Sequence, residues 1–218
     1  MNVSLAPLPP LPRALAQPGL SGSGRRHRIG YHEIDTVALR HFNELLQYLD
    51  LNVMPLDRDR LASAARELVD QPHAGRAPDC ITQRMRRAAA IDWMVGDPDW
   101  ETLPTTEVAA SLLVDYMRHN DKRRTLIPNA LPVVGRLDDA IVVETIWPSV
   151  GPEVRDYVDF CHVRRVEANL AGDAPAYNCN RQNWQQAARA ERDWVAHCER
   201  VGAQSYIAGD PVSRFRVN

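Results

Sequence analysis

The chain has 218 residues, 44% apolar and 25% charged, with a formal net charge of −2. That length supports one sizeable core, and the apolar and charged fractions are those of a soluble globular protein. A near-neutral balance argues against a dedicated nucleic-acid binder, and no run of about 18 uncharged apolar residues is present to make a transmembrane helix.

Residues 1–30 carry Pro7, Pro9, Pro10, Pro12 and Pro18, then Ser21-Gly22-Ser23-Gly24 and the basic Arg25-Arg26-His27-Arg28. Proline removes backbone donors and Gly/Ser stretches stay flexible, so this part reads as a disordered arm ahead of a helical domain at 31–218. Its Pro-Leu-Pro-Pro-Leu-Pro-Arg run has the composition of ligands for proline-binding domains. Ala14-Leu15-Ala16 looks faintly like a signal-peptidase site. Prolines and Arg13 interrupt the segment before it, so export is not expected. The cysteines Cys80, Cys161, Cys179 and Cys198 form no C-x-x-C pair, and free thiols in a reducing, cytoplasmic setting are the simpler reading.

Helical periodicity begins after Glu33. Ile34, Val37, Leu39, Phe42, Leu45, Leu46 and Leu49 recur at near-helical spacing until Pro55. Asp57 suits the cap of a second helix (Leu61, Ala64, Ala65, Leu68), and Asp79 the cap of a third with Ile81, Met85, Ala88, Ala89, Trp93 and Met94 inward. The opposite face of the third holds Arg84, Arg86 and Arg87 and is expected in solvent. Asp97-Pro98-Asp99 signals a turn, and Pro104 opens a fourth helix bearing Val108, Leu112, Leu113 and Tyr116. After a central stretch at 126–147, Pro152 fits the start of another helix running to Gly172. Asn180 caps a last one with Trp184, Ala187, Ala188, Trp194, Val195 and Cys198 inward. No useful strand alternation occurs. The expectation is all-α, about seven helices.

The central stretch, LIPNALPVVGRLDDAIVVETIW, is the most distinctive. Pro128 and Pro132 bias their predecessors away from helix, while Leu126, Ile127, Leu131, Val133 and Val134 are too apolar for water. A packed turn is expected, with Gly135 serving either a positive φ or a close backbone approach. A helix then starts near Arg136 or Leu137, placing Asp138 and Asp139 in its first turn, where carboxylates meet free N–H groups and the positive end of the dipole.

The run Leu126-Ile127-Pro128, Leu131-Pro132-Val133-Val134-Gly135, Leu137-Asp138-Asp139-Ala140-Ile141-Val142 resembles the signature of the YkvA-like family, small and mostly uncharacterised bacterial helical proteins. The resemblance covers about residues 111–150. It implies a helical fold around a shaped turn, often a hydrophobic hairpin in or on a membrane, and transfers no established activity. The chain departs from the pattern at Arg123, Arg124, Thr125 and Asn129, where two carboxylates of the pattern are missing.

Three functions are weighed. The first is a non-catalytic interaction or regulatory protein, with a protein partner or a second copy, in which Pro128, Pro132, Gly135, Asp138 and Asp139 shape the turn. The second is a metal-dependent hydrolase using Asp138 and Asp139, with Glu144, His119 or His162 completing a divalent site. Spacing weakens it, since neither Asp138 nor Asp139 lies three or four residues from Glu144, and capping with surface exposure explains these acids more simply. The third is peripheral attachment to an anionic membrane through Lys122, Arg123 and Arg124 beside the apolar turn. No cofactor fingerprint is present: H-E-x-x-H, the Walker loop and the dinucleotide glycine pattern are all missing.

Overall fold

The computed structural model describes residues 7–16, 26–72, 76–118, 126–171 and 179–202. Among these residues there are seven helices and one minimal hairpin: α1 (Arg13–Ala16), β1 (Arg28–Ile29), β2 (His32–Glu33), α2 (Thr36–Leu49), α3 (Arg58–Val69), α4 (Asp79–Gly96), α5 (Pro104–Arg118), α6 (Leu137–Ala171) and α7 (Arg181–Gly202). The fold is all-α, as the periodicity predicts. Strands β1 and β2 pair antiparallel across Gly30, whose φ of +58° suits the only residue type without a Cβ.

Local chemistry explains most boundaries. Asp35 Oδ1 accepts the N–H groups of Val37 and Ala38 at 2.8 Å, which starts α2 later than Glu33 and leaves Ile34 buried ahead of the helix. Asp57 Oδ1 accepts the Arg60 N–H at 2.8 Å and caps α3 as expected. Asp79 does not cap α4. It is the first helical residue, and the cap position belongs to Pro78, which has no side-chain acceptor. Asn180 and Asn183 bond reciprocally, side chain to main chain, at the start of α7.

Helix α6 is the centre of the fold and differs most from expectation. It does not stop before Pro152. It runs 35 residues through Pro148 and Pro152, about 52 Å at 1.5 Å per residue. Ile146, Val150, Val154, Tyr157 and Phe160 are all buried at helical spacing straight across both prolines, so packing outweighs the lost backbone bonds. Ser149 Oγ donates to the Ile146 carbonyl at 2.8 Å. Gly151 lets the Trp147 ring lie against the helix, since a Cβ there would come within 2.9 Å of the indole. Helices α4 and α5 pack most extensively on α6, and α2 and α7 touch it sparsely.

Part of residues 1–30 is described, and that part lies against the helical body. Pro12, Ala14 and Ile29 are buried, and Leu11 and Leu15 pack on the core. Leucines interleaved with the prolines supply the apolar area that a Pro/Gly composition alone lacks. Residues 1–6 and 17–25 of that arm lie outside the described residues.

Candidate functional site

The turn at 126–136 is held by its own backbone. Leu131 N–H donates to the Pro128 carbonyl (3.0 Å), Val134 N–H to Pro132 (2.7 Å), Gly135 N–H to Leu131 (2.9 Å) and Leu137 N–H to Val134 (3.1 Å). Of the two roles open to Gly135, close approach is the one observed: a Cβ there would lie 2.5 Å from the Asn129 carbonyl oxygen and 2.7 Å from that of Leu131. The positive φ values fall instead on Val133 (66°) and Arg136 (68°). For a β-branched valine that conformation is costly, and it persists because the residues around it are fixed. Leu126, Ile127 and Val134 are buried, which spends most of the turn's apolar surface on the protein's own core.

Asp138 and Asp139 are buried, not surface caps, which corrects the expectation of exposure. Asp138 Oδ2 accepts the Tyr116 hydroxyl at 2.8 Å and the Ile127 N–H at 3.0 Å, so one carboxylate oxygen ties α5, the turn and α6 together. Its Oδ1 is buried and has no hydrogen-bond partner among the described residues. Burial pushes the Asp138 carboxyl above the ordinary aspartate range although both donors favour the anion. Asp139 is pushed up to about 7, by burial first and the charge of Asp138 second, with Arg136 opposing. Burial and then the Asp138 charge also raise the Tyr116 phenol, which keeps it a donor. The pair is chemically a proton-holding site.

The other predicted site residues go elsewhere. Glu144, half exposed, is engaged by Arg84, whose Nη2 and Nε lie 2.8 and 2.9 Å from Oε2. His162 is exposed on α6, 24 residues beyond Asp138, roughly 36 Å along the helix. His119, Lys122, Arg123 and Arg124 lie outside the described residues. Among the described residues no three His, Cys, Asp or Glu side chains group to hold a metal ion. The four cysteines are free.

Two features escaped the sequence reading. Arg84 and Arg87 are buried rather than solvated. Arg84 is 1% exposed, and the Arg87 guanidinium lies 3.9 Å from the Trp147 ring centroid. The signal was present, because Ile81, Arg84, Ala88 and Ile91 stand at 3-4-3 spacing on one face. The second is the anchor of α7. Arg181 donates to the Glu153 carboxylate (2.7 Å) and to the Glu101 carbonyl, its N–H reaches the Asp99 carbonyl (2.9 Å), and Trp184 Nε1 donates to Asp159 Oδ2 (3.0 Å). Trp184 also packs on Trp100 with ring centroids 5.4 Å apart. Beyond this anchor α7 is open: Trp194 and Val201 are exposed and Trp184 is its one buried residue.

The chain matches no family model, no curated protein and no solved structure.

Proposed function

We propose that this protein works by binding rather than by catalysis, as a helical interaction or regulatory protein, and that the outer face of α7 is its contact surface. One observation carries the reading. A 22-residue helix with apolar residues at 184, 187, 188, 194, 195, 198 and 201 has its one buried residue, Trp184, near its start, with Ala188, Val195 and Cys198 only half-buried. Trp194, 59% exposed, and Val201, 49% exposed, face solvent in the other half. An amphipathic helix with a face left uncovered by the described residues has free energy to gain from a partner. A second copy is the simplest partner, because a two-fold axis lets the same face meet itself. The test is the mass of the protein in solution across a wide concentration range. Wild type is expected to associate, and the double variant Trp194→Glu, Val201→Glu to stay monomeric, with the same melting temperature as wild type when both are dilute enough to be dissociated. A wild type that is monomeric throughout would remove the second copy as partner.

A YkvA-like membership of residues 111–150 and a cytoplasmic setting belong to the same proposal. The shaped turn and the free thiols are in keeping with both. Metal-dependent hydrolysis through Asp138 and Asp139 has the buried carboxylate pair in its favour. A divalent metal that raises the melting temperature of wild type but not of Asp139→Ala would bring it forward, by binding linkage. Membrane attachment keeps less support, since Leu126 and Ile127 are withdrawn into the core and only Leu131 and Val133 stay half-buried. Among the described residues no helix is long and apolar enough to cross a membrane.

A further inference from the structure

The segment at 8–16 is held the way a receptor holds a peptide. Its main chain is gripped by side chains of the helical body, and it pairs with no strand. Glu67 on α3 takes the Arg13 and Ala14 N–H groups, one on each carboxylate oxygen, at 2.8 and 3.1 Å. Arg84 on α4 donates to the Pro9 carbonyl at 2.9 Å while holding Glu144 and the Cys80 carbonyl. Arg60 on α3 donates to the Leu15 carbonyl and, at 3.0 Å, to that of Pro55. Leu11 and Leu15 enter an apolar groove shared with Leu46, Val53, Leu56 and Ile141, and about 240 Å³ of this groove stays unfilled beside them. Arg60 and Arg84 are both more than nine-tenths buried. A buried guanidinium that loses an acceptor is costly, so the two arginines make the body dependent on an occupant that offers carbonyls at these points.

The geometry points to this groove as a peptide-binding site, and we propose that it takes a leucine- and proline-rich segment of a partner protein in exchange for residues 8–16. The required chemistry is that of the segment now seated there. Leucines stand at the spacing of Leu11 and Leu15, proline keeps the preceding carbonyls free of internal bonds, and a single helical turn offers two N–H groups to Glu67. The site is separate from the α7 face and does not depend on it.

The probe is a fluorescent synthetic peptide of residues 7–16, titrated into the full-length chain. The variant Leu11→Asp, Leu15→Asp weakens the resident segment while every residue of the groove wall keeps its identity. It is expected to bind the peptide at least about tenfold more tightly than wild type, and adding Glu67→Ala is expected to remove about tenfold or more. Equal binding by wild type and the leucine variant, or binding indifferent to Glu67→Ala, would overturn the proposal. Should the leucine variant fail to fold, amide exchange on wild type decides. Excess peptide is expected to speed exchange at Arg13 and Ala14, and unchanged protection under saturating peptide would overturn it. A complex between wild type and the leucine variant, competed by the peptide, would support the groove and name a second copy as the source of the segment.

Discussion

The first turns of α6 and the second half of α7 both mix acids with apolar residues and end in opposite environments. From Leu137 to Val143 every side chain is buried, acids included, because α4, α5 and the 126–136 turn close over it. From Arg189 to Gly202 no side chain is fully buried, because the described residues touch this half of the helix only sparsely. The comparison separates two uses of a polar pattern. Where a carboxylate is enclosed it must find donors, and Asp138 finds Tyr116 and Ile127. Where an apolar stripe is open it needs none of its own chain, and its burial is left for another molecule.

The largest effect expected is on pH dependence in the enclosed region. Asp139 sits at about 7 against an unfolded value near 3.8. The folded state therefore holds a proton that the unfolded state has released. This contribution is complete below about pH 4 and is lost as pH rises toward 7, by up to about 4 kcal/mol. Denaturant midpoints at a series of pH values, wild type against Asp139→Asn, isolate it. The variant is expected to show a shallower decline across that window, because the buried Asp138, also raised, still contributes its own, and parallel curves would mean that Asp139 is not enclosed in the way described. Next in size is Asp138→Ala, which strands the Tyr116 hydroxyl and the Ile127 N–H. About 3 kcal/mol of stability should be lost, and Asp138→Asn should lose less because one acceptor oxygen is kept.

A smaller effect, about 2 kcal/mol, is expected for Gly135→Ala, measured as a shift in urea midpoint. The obstacle is backbone oxygen, at Asn129 and Leu131, which cannot turn aside as a side chain would. If the variant is as stable as wild type, the turn is looser than its hydrogen bonds imply, and the contrast with α7 weakens.

Much of this framework was legible beforehand. The caps Asp57 and Asn180, the start at Pro104 and the packed turn before Asp138 all rest on local chemistry, which a sequence displays directly. The errors arose where distant packing overrides local preference. Pro152 should have opened a helix, but the buried row Ile146, Val150, Val154 carries α6 through it. Arg84 was read as solvated because its partners, Glu144 and the Pro9 carbonyl, are 60 and 75 residues away. The hold of Glu67 and Arg60 on residues 13–15 is likewise invisible until the chain folds. At the acids the residues were legible and the environment was not. A first-turn Asp-Asp pair reads equally as a cap or a buried pair until something is seen to lie over it.

The smallest effect expected is the one that tests α7 most directly. Trp184 and Trp194 lie ten residues apart on one helix, 8% and 59% exposed. Trp184 fills the space between Trp100 and Asp159, so its loss belongs with large-to-small core changes, whereas among the described residues Trp194 stacks on His197 of its own helix, with ring centroids 5.9 Å apart. Trp194→Glu is therefore expected to change unfolding free energy by less than about 0.5 kcal/mol when measured on dilute, dissociated protein. The same substitution should show its effect only at concentrations where copies meet. That pairing of a silent monomer and a lost association is what an open contact face requires. If Trp194→Glu instead destabilises the dilute protein by several kcal/mol, the face is packed by this chain itself, and the proposed contact surface loses the observation that carries it.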